Sequence, residues 1–224
     1  MSWVLTTPLA IPFVTAVAAY LLRHGPHAAW ISVAGAAAQL VASGVLMVAV
    51  LNEGVIAGQM GAWPAPFGIT LVADLLSAVM VVITAITALA VAVYALGDVS
   101  ETQERLGYHA LFQVLIAGVT GAFLTGDLFN LYVWFEVMLI ASFGLLVLGG
   151  SRAQLDGGIK YVTLNLVSTI LFLTGVGLLY GMTGTLNMAD LAVTVPQLEQ
   201  QGLLTVVAVL FMIAFGVKAA VFPL

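Results

Sequence analysis

The sequence contains no cysteine. That excludes disulfides, iron–sulfur clusters and thiolate chemistry from this chain. Charge is scarce as well: Asp, Glu, Lys and Arg make up 7% of the 224 residues, against roughly 25% in a soluble domain. A soluble fold is excluded. With five Lys and Arg against ten Asp and Glu, there is no basic patch, and nucleic acid is excluded as a partner. No glycine-rich phosphate loop, Rossmann fingerprint, or flavin, NADH or quinone motif occurs, so no cofactor is expected. The net charge of −5 says little about partners, because most of the acids lie between apolar runs.

What the chain does have is long apolar runs. It is 62% hydrophobic, with mean hydropathy +1.18. A membrane-crossing helix needs about 20 apolar residues, and seven segments meet or approach this: 3–22, 28–51, 69–96, 108–125, 128–148, 159–180 and 203–224. The first has no basic residues ahead of it and no small-residue cleavage site before a polar domain, so it reads as a span rather than a signal. Short alternating segments suited to a membrane β-barrel are absent. The expected fold is all-α, a polytopic transmembrane helix bundle forming one domain over 1–224.

Basic residues alternate strictly between connections. Arg23, Arg105 and Arg152, with Lys160 at its edge, mark the first, third and fifth; Glu53, Asp127, Asp190 and Glu199 mark the others. By the positive-inside rule the N-terminus lies outside and the Arg-bearing loops are cytoplasmic. The fourth connection, Thr125-Gly126-Asp127, stops one helix with a glycine and offers an aspartate as N-cap to the next. The segment 52–68, with Pro64, Pro66, Trp63 and Phe67, reads as an interfacial loop with aromatic anchors.

Two charges stand inside these spans. Glu136 is far from either end of its run, and Lys218 is the only charge in 203–224. An ionisable group at that depth is costly and marks a functional site by default. Three and four residues from Glu136 stand Tyr132, Val133, Leu139 and Ile140, of which only Tyr132 can donate a hydrogen bond; Lys218 has no ionic partner at these spacings. Each must find water or a group on another helix. Opposite in charge and similar in depth, they are the obvious partners for one another.

The motifs that carry a family resemblance run through the chain in order: Ala-Trp-Pro-Ala-Pro-Phe-Gly at 62–68, Val-Ala-Asp-Leu-Leu-Ser at 72–77, Gly-Ala-Phe-Leu-Thr-Gly-Asp-Leu-Phe-Asn-Leu at 121–131, Phe135-Glu136, 146–150, Ile-Lys-Tyr at 159–161, 179–190, and Phe-Gly-Val-Lys-Ala-Ala-Val-Phe-Pro-Leu at 215–224. On these the chain resembles the antiporter-like subunits shared by Mrp-type multisubunit cation/proton antiporters and respiratory complex I, most closely the D-type subunits. The resemblance implies a proton-translocating subunit of a Na+/H+ antiporter in the cell membrane, partnered by other membrane subunits and not itself an enzyme. It assigns the proton-handling pair to Glu136 and Lys218. It also implies an interrupted seventh helix near the lysine, which Gly216 and Pro223 fit. Family members consist of two inverted repeats, so the chain is expected to be an N-terminal portion. Spans one to three would be peripheral, and the translocating repeat would begin at 108.

Other residues have blander competitors. Lys160 stands where anchoring by snorkelling is ordinary, with a cytoplasmic-side proton relay as the second reading. Asp74 opens the third span, where it suits the helix dipole, and it is also a candidate for the proton path. Asp127 reads as a cap. Tyr161, Asn165, Ser168 and Thr169 share one face of the sixth span and either line a wetted path or pack helices; Tyr132 is a further path candidate. His24 and His27 lack a nearby carboxylate or thiolate, so no metal site is expected. Besides the antiporter reading, a proton-pumping subunit of a complex I-like oxidoreductase or membrane-bound hydrogenase remains open. A scaffold subunit would leave the paired charges unexplained.

Overall fold

The apolar runs fold into helices whose ends are set by capping side chains more sharply than by hydropathy. The computed structural model describes residues 2–25, 27–65 and 67–221. Its helices are α1 (Ser2–Leu21), α2 (Ala28–Glu53), α3 (Leu75–Asp98), the short α4 (Glu101–Arg105), α5 (Tyr108–Leu124), α6 (Leu128–Leu146), α7 (Arg152–Thr183), the short α8 (Met188–Thr194) and α9 (Gln201–Lys218). Six of these are long and apolar enough to cross a bilayer. The seventh apolar helix, α5, has 17 residues, about 25 Å at 1.5 Å per residue, at the lower limit for a span. The chain is an all-α, multi-pass membrane bundle.

Small residues bring the helices together where lipid offers no hydrophobic drive. Ala78, Ala85, Ala88, Ala92 and Ala95 form the buried face of α3, and Ala88 and Ala92 meet Ala36, Phe112 and Ile116. A Cβ on Gly121 would stand 2.3 Å from the Trp134 ring, so only glycine lets α5 and α6 approach this closely.

Three boundaries differ from expectation, the last being the end of the seventh span, whose helix stops at Lys218 with 219–221 non-helical. The third span starts at Leu75, not 69, because Asp74 caps it: Ser77 N–H and Oγ donate to Asp74 Oδ1 at 2.7 and 2.8 Å. The residues ahead of the cap form a strand, β2 (Thr70–Ala73), antiparallel to β1 (Ile56–Gln59) with Ile56 opposite Ala73. So 52–68 is a loop only in part. Trp63 and Phe67 are both largely exposed; Pro66 lies outside the described residues. The sixth span begins at Arg152, where Ser151 and Gln154 form a capping box.

The hairpin closes one end of the bundle. Gly126 N–H donates to Thr70 O at 2.8 Å, Leu128 N–H to Leu186 O at 3.0 Å and Met188 N–H to Gly126 O at 2.9 Å. Asn187 Nδ2 reaches Thr70 Oγ1 at 3.0 Å. The second, fourth and sixth connections therefore meet at this end. Arg23 and Arg105 line one cavity with His24, Glu101 and Glu104, so the first and third connections also share an end.

Candidate functional site

Glu136 owes its depth to the cap that starts α6. Asp127 Oδ1 accepts from Asn130 N–H at 2.8 Å, fixing Leu128 as the first helical residue, and Glu136 follows eight residues later, about 12 Å along the axis. Lys218 is placed by a helix end. α9 stops at Lys218, where Ala220 N–H donates to Val217 O and Val221 N–H to Gly216 O. This is a Schellman closure, with Ala220 at φ 51 where glycine is usual. The ammonium thus sits on the last turn, where the helix dipole favours positive charge. The helix stops at the lysine; the resemblance implies an interruption there, and Pro223, the second residue fitted to it, lies outside the described residues.

α7 runs antiparallel between these two helices and organises the site. Its stripe of Tyr161, Asn165, Ser168, Thr169 and Phe172 faces both neighbours. Thr169 Oγ1 donates to Glu136 Oε1 at 2.7 Å. Ser168 Oγ donates to Ala214 O of α9 at 2.8 Å. Tyr161 OH and Ser142 Oγ of α6 are 2.8 Å apart, and Asn165 Nδ2 donates to Tyr161 O at 3.0 Å. Phe172 packs edge-on against Phe135 and Phe215, which lie 6.1 Å from each other. This aromatic cluster sets the relative level of α6 and α9: Lys218 lies less than one turn beyond Phe215, and Glu136 is adjacent to Phe135.

The two charges are near, but they do not form an ion pair. Among the described residues no carboxylate oxygen lies within 4.0 Å of Lys218 Nζ, although Glu136 is the charge whose field reaches it. What stands over the ammonium is the Phe135 ring, 5.0 Å from Nζ to the ring centre, a cation–π distance. Lys218 also lines a cavity of about 270 Å³ with Phe135, Met138, Leu139, Ser142, Tyr161 and Asn165. The arrangement combines a half-buried acid held by a hydroxyl, a half-buried base held by a ring, and a largely apolar space beside the base into which Ser142, Tyr161 and Asn165 bring polar groups. It can hold a proton on either charge and water between them.

Of the remaining candidates, Lys160 and Asp74 lie away from this site, and Tyr132 borders its aromatic cluster. Lys160 is exposed and pairs with Asp156 at 2.6 Å. Asp74 lines a separate cavity at the hairpin end with Thr70, Thr125 and Asn187. The Ser77 backbone N–H, then its hydroxyl, hold this carboxyl below the usual carboxylate range. Tyr132 packs with Leu128 and Leu131 onto the Phe172–Ala214 cluster. Ser142 and the role of Phe135 are absent from the sequence-based candidates. Their signal is the stripe Phe135, Met138, Leu139, Ser142, spaced i, i+3, i+4, i+7, which carries the cavity wall.

Residues 125–224 match the family model described as "NADH:quinone oxidoreductase/Mrp antiporter, TM". Over 218 residues, 97% of this chain, the sequence is 46% identical to the D-type member of the Na(+)/H(+) antiporter of Bacillus subtilis (strain 168); the chain spans 44% of that relative's length. The fold is similar to a chain of the membrane-bound sulfane sulfur reductase, an archaeal respiratory membrane complex, with TM-score 0.89 and 28% identity over 98% of this chain and 45% of that one. It is likewise similar to a chain of the Mrp complex from Dietzia sp. DQ12-45-1b, with TM-score 0.86 and 32% identity over 98% and 41%.

Proposed function

The chain belongs to the family of membrane subunits shared by NADH:quinone oxidoreductase and Mrp antiporters, and from that premise we propose that it supplies a proton-handling unit of a multisubunit Na+/H+ antiporter. Its partners would be the other membrane subunits and the lipid of the cell membrane, with the Arg-bearing loops cytoplasmic. One observation carries the reading. Lys218 borders a cavity whose largely apolar wall carries the polar groups of Ser142, Tyr161 and Asn165, and the residue beside its Phe135 partner is an acid anchored to α7 by Thr169.

The chemistry is proton transfer without a covalent intermediate. Burial disfavours a charged lysine, whereas a nearby carboxylate favours it. Movement of Glu136 toward Lys218 holds the proton on; movement away, toward Thr169, releases it into the cavity. Coupling this switch to cation movement elsewhere in the assembly gives antiport. Coupling it to a redox reaction gives a pump, a second reading favoured by the likeness to the sulfane sulfur reductase complex. A non-conducting scaffold would have no use for two charges in the span.

The test is cation-driven pH change in vesicles holding the full-length assembled complex, run with Na+ and with K+. Lys218→Arg should abolish transport, since arginine keeps its proton at any accessible pH. Glu136→Ala should abolish it too, and Glu136→Asp should retain part. Full antiport in an assembled Lys218→Arg complex would show that Lys218 carries no proton.

A further inference from the structure

A line of buried polar side chains runs between α2 and α5, away from the site above. On α5, His109, Gln113 and Thr120 share one stripe, each at most 2% exposed; α2 answers with Ser32, Gln39 and Ser43, none of them exposed. Gln113 Nε2 donates to Ser32 O and Oγ, both at 3.0 Å, and Gln39 Nε2 donates to Thr120 Oγ1 at 2.9 Å. Three buried atoms of this line have no partner among the described residues: Gln113 Oε1, Gln39 Oε1 and His109 Nδ1; Trp134 Nε1 on α6 is a fourth such atom in the molecule. Turning the Gln113 amide round would set its carbonyl against Ser32 O, two acceptors 3.0 Å apart, and leave its NH2 unpartnered instead. Bound water is what satisfies such atoms in a native interior.

The line reaches solvent at the Arg-bearing end. His109 Nε2 lies 3.4 Å from Glu104 Oε1, and Glu104 lines an open cavity of about 370 Å³ with Arg23, His24, Glu101 and Arg105. One ring nitrogen therefore meets a solvent-reached carboxylate, while the other is enclosed in the bundle. An imidazole so placed can take a proton at one nitrogen and give one up at the other.

We propose that His109 relays protons between Glu104 and a chain of bound waters along α2 and α5. Neutral His109 with its proton on Nδ1 accepts a proton at Nε2 from the Glu104 side. It then releases the Nδ1 proton to a water of the track, and a ring flip or the reverse transfer resets it. Only N–H and O–H bonds change. The titratable groups around it are Glu104, Tyr108 at 5.3 Å ring to ring, Asp98, whose charge acts on Tyr108, and the Arg23, His24, Glu101 and Arg105 of the cavity wall; Ser32, Gln39 and Ser43 on the α2 side of the track are uncharged. From His109 to Thr120 the track covers about 16 Å, roughly half of a ~30 Å core. It ends beside Gly121 and the Trp134 ring. Trp134 and Glu136 are two residues apart and face opposite sides of α6, so the track is separate from the Glu136–Lys218 site.

Two measurements test this on the full-length complex. Deuterium exchange at the imidazole C2 position, read by mass spectrometry with the exposed His24 and His27 as references, reports water and proton access without any transport. His109 is expected to exchange within about tenfold of the references; exchange more than about a hundredfold slower would mean a dry site and would overturn the proposal. The transport arm rests on the antiporter reading. There, His109→Ala should slow cation-driven pH change about tenfold or more, and added imidazole, entering through the Glu104 cavity, should restore it. Gln113→Leu should be slow without rescue. An assembled His109→Ala complex with an unchanged rate, or a slow one restored by His109→Phe and not by imidazole, would leave His109 a packing residue. Exchange at His109 in a transport-dead Lys218→Arg complex separates this outcome from failure of the Glu136–Lys218 reading.

Discussion

Thr169→Val removes one hydroxyl and almost no volume, and so isolates the bond that holds Glu136 on α7. Thr169 Oγ1 is 2.7 Å from Glu136 Oε1, and Thr169 is itself buried, so neither bulk water nor a rotamer change readily replaces the donor. A hydrogen bond to a charged group is worth about 1.5–3 kcal/mol. At 1.4 kcal/mol per decade this amounts to about a ten- to hundredfold loss of preference for the Thr169-bound, charged state of Glu136. If the switch requires Glu136 to leave Lys218 for α7, the release step loses that factor. Thr169→Val should then cut antiport about tenfold or more, and Thr169→Ser, which keeps the hydroxyl, should retain most of it. The assay is Na+-driven pH change in vesicles with the full-length complex, with assembly checked by native gel. An assembled Thr169→Val complex at full rate would refute the idea that α7 is one station of the acid.

Two further outcomes concern the ends of the bundle. Cysteines at Thr102 and at Gly54 should react with an impermeant thiol reagent from opposite sides, cytoplasmic for 102 and external for 54; labelling of both from one side would overturn the topology. Asp74→Ala should cost about 1 kcal/mol by loss of the N-cap. Because Ser77 holds this carboxyl below its ordinary value, its contribution is complete above the unfolded value of about 4 and fades as the pH falls through the lower folded value. Thermal unfolding in detergent should show the gap between wild type and Asp74→Ala at pH 7 narrowing toward pH 3, and an unchanged gap would contradict the assignment.

Much of the fold was legible because lipid forces backbone bonds to close within each span. Asp74 and Asp127 announced helix starts through their side-chain chemistry. The hairpin was not legible: Ile56–Gln59 and Thr70–Ala73 are four residues each. The second strand is also held from outside the hairpin, Leu71 bridging to Thr125 and Thr70 accepting from Asn187, residues more than fifty and a hundred positions away. The start of α7 was missed because a hydropathy count discounts Arg152, Gln154 and Asp156, although the Ser151–Gln154 capping pair was there to be read.

The site shows the same division between what one helix can announce and what only three can decide. Burial cost singled out Glu136 and Lys218 without any knowledge of their neighbours. Their relation depends instead on how α6 is rotated about its axis. Adjacent residues on a helix point about 100° apart, so only one of Phe135 and Glu136 can face α9 directly. The packing of Phe135 with Phe172 and Phe215 makes it the ring, and the acid turns to Thr169 instead. That rotation is fixed by aromatic contacts among α6, α7 and α9, which no periodicity within a single segment encodes. It keeps the base beside a cavity and a polarisable ring rather than locked in an ion pair, and a proton that must be released is better served by that separation.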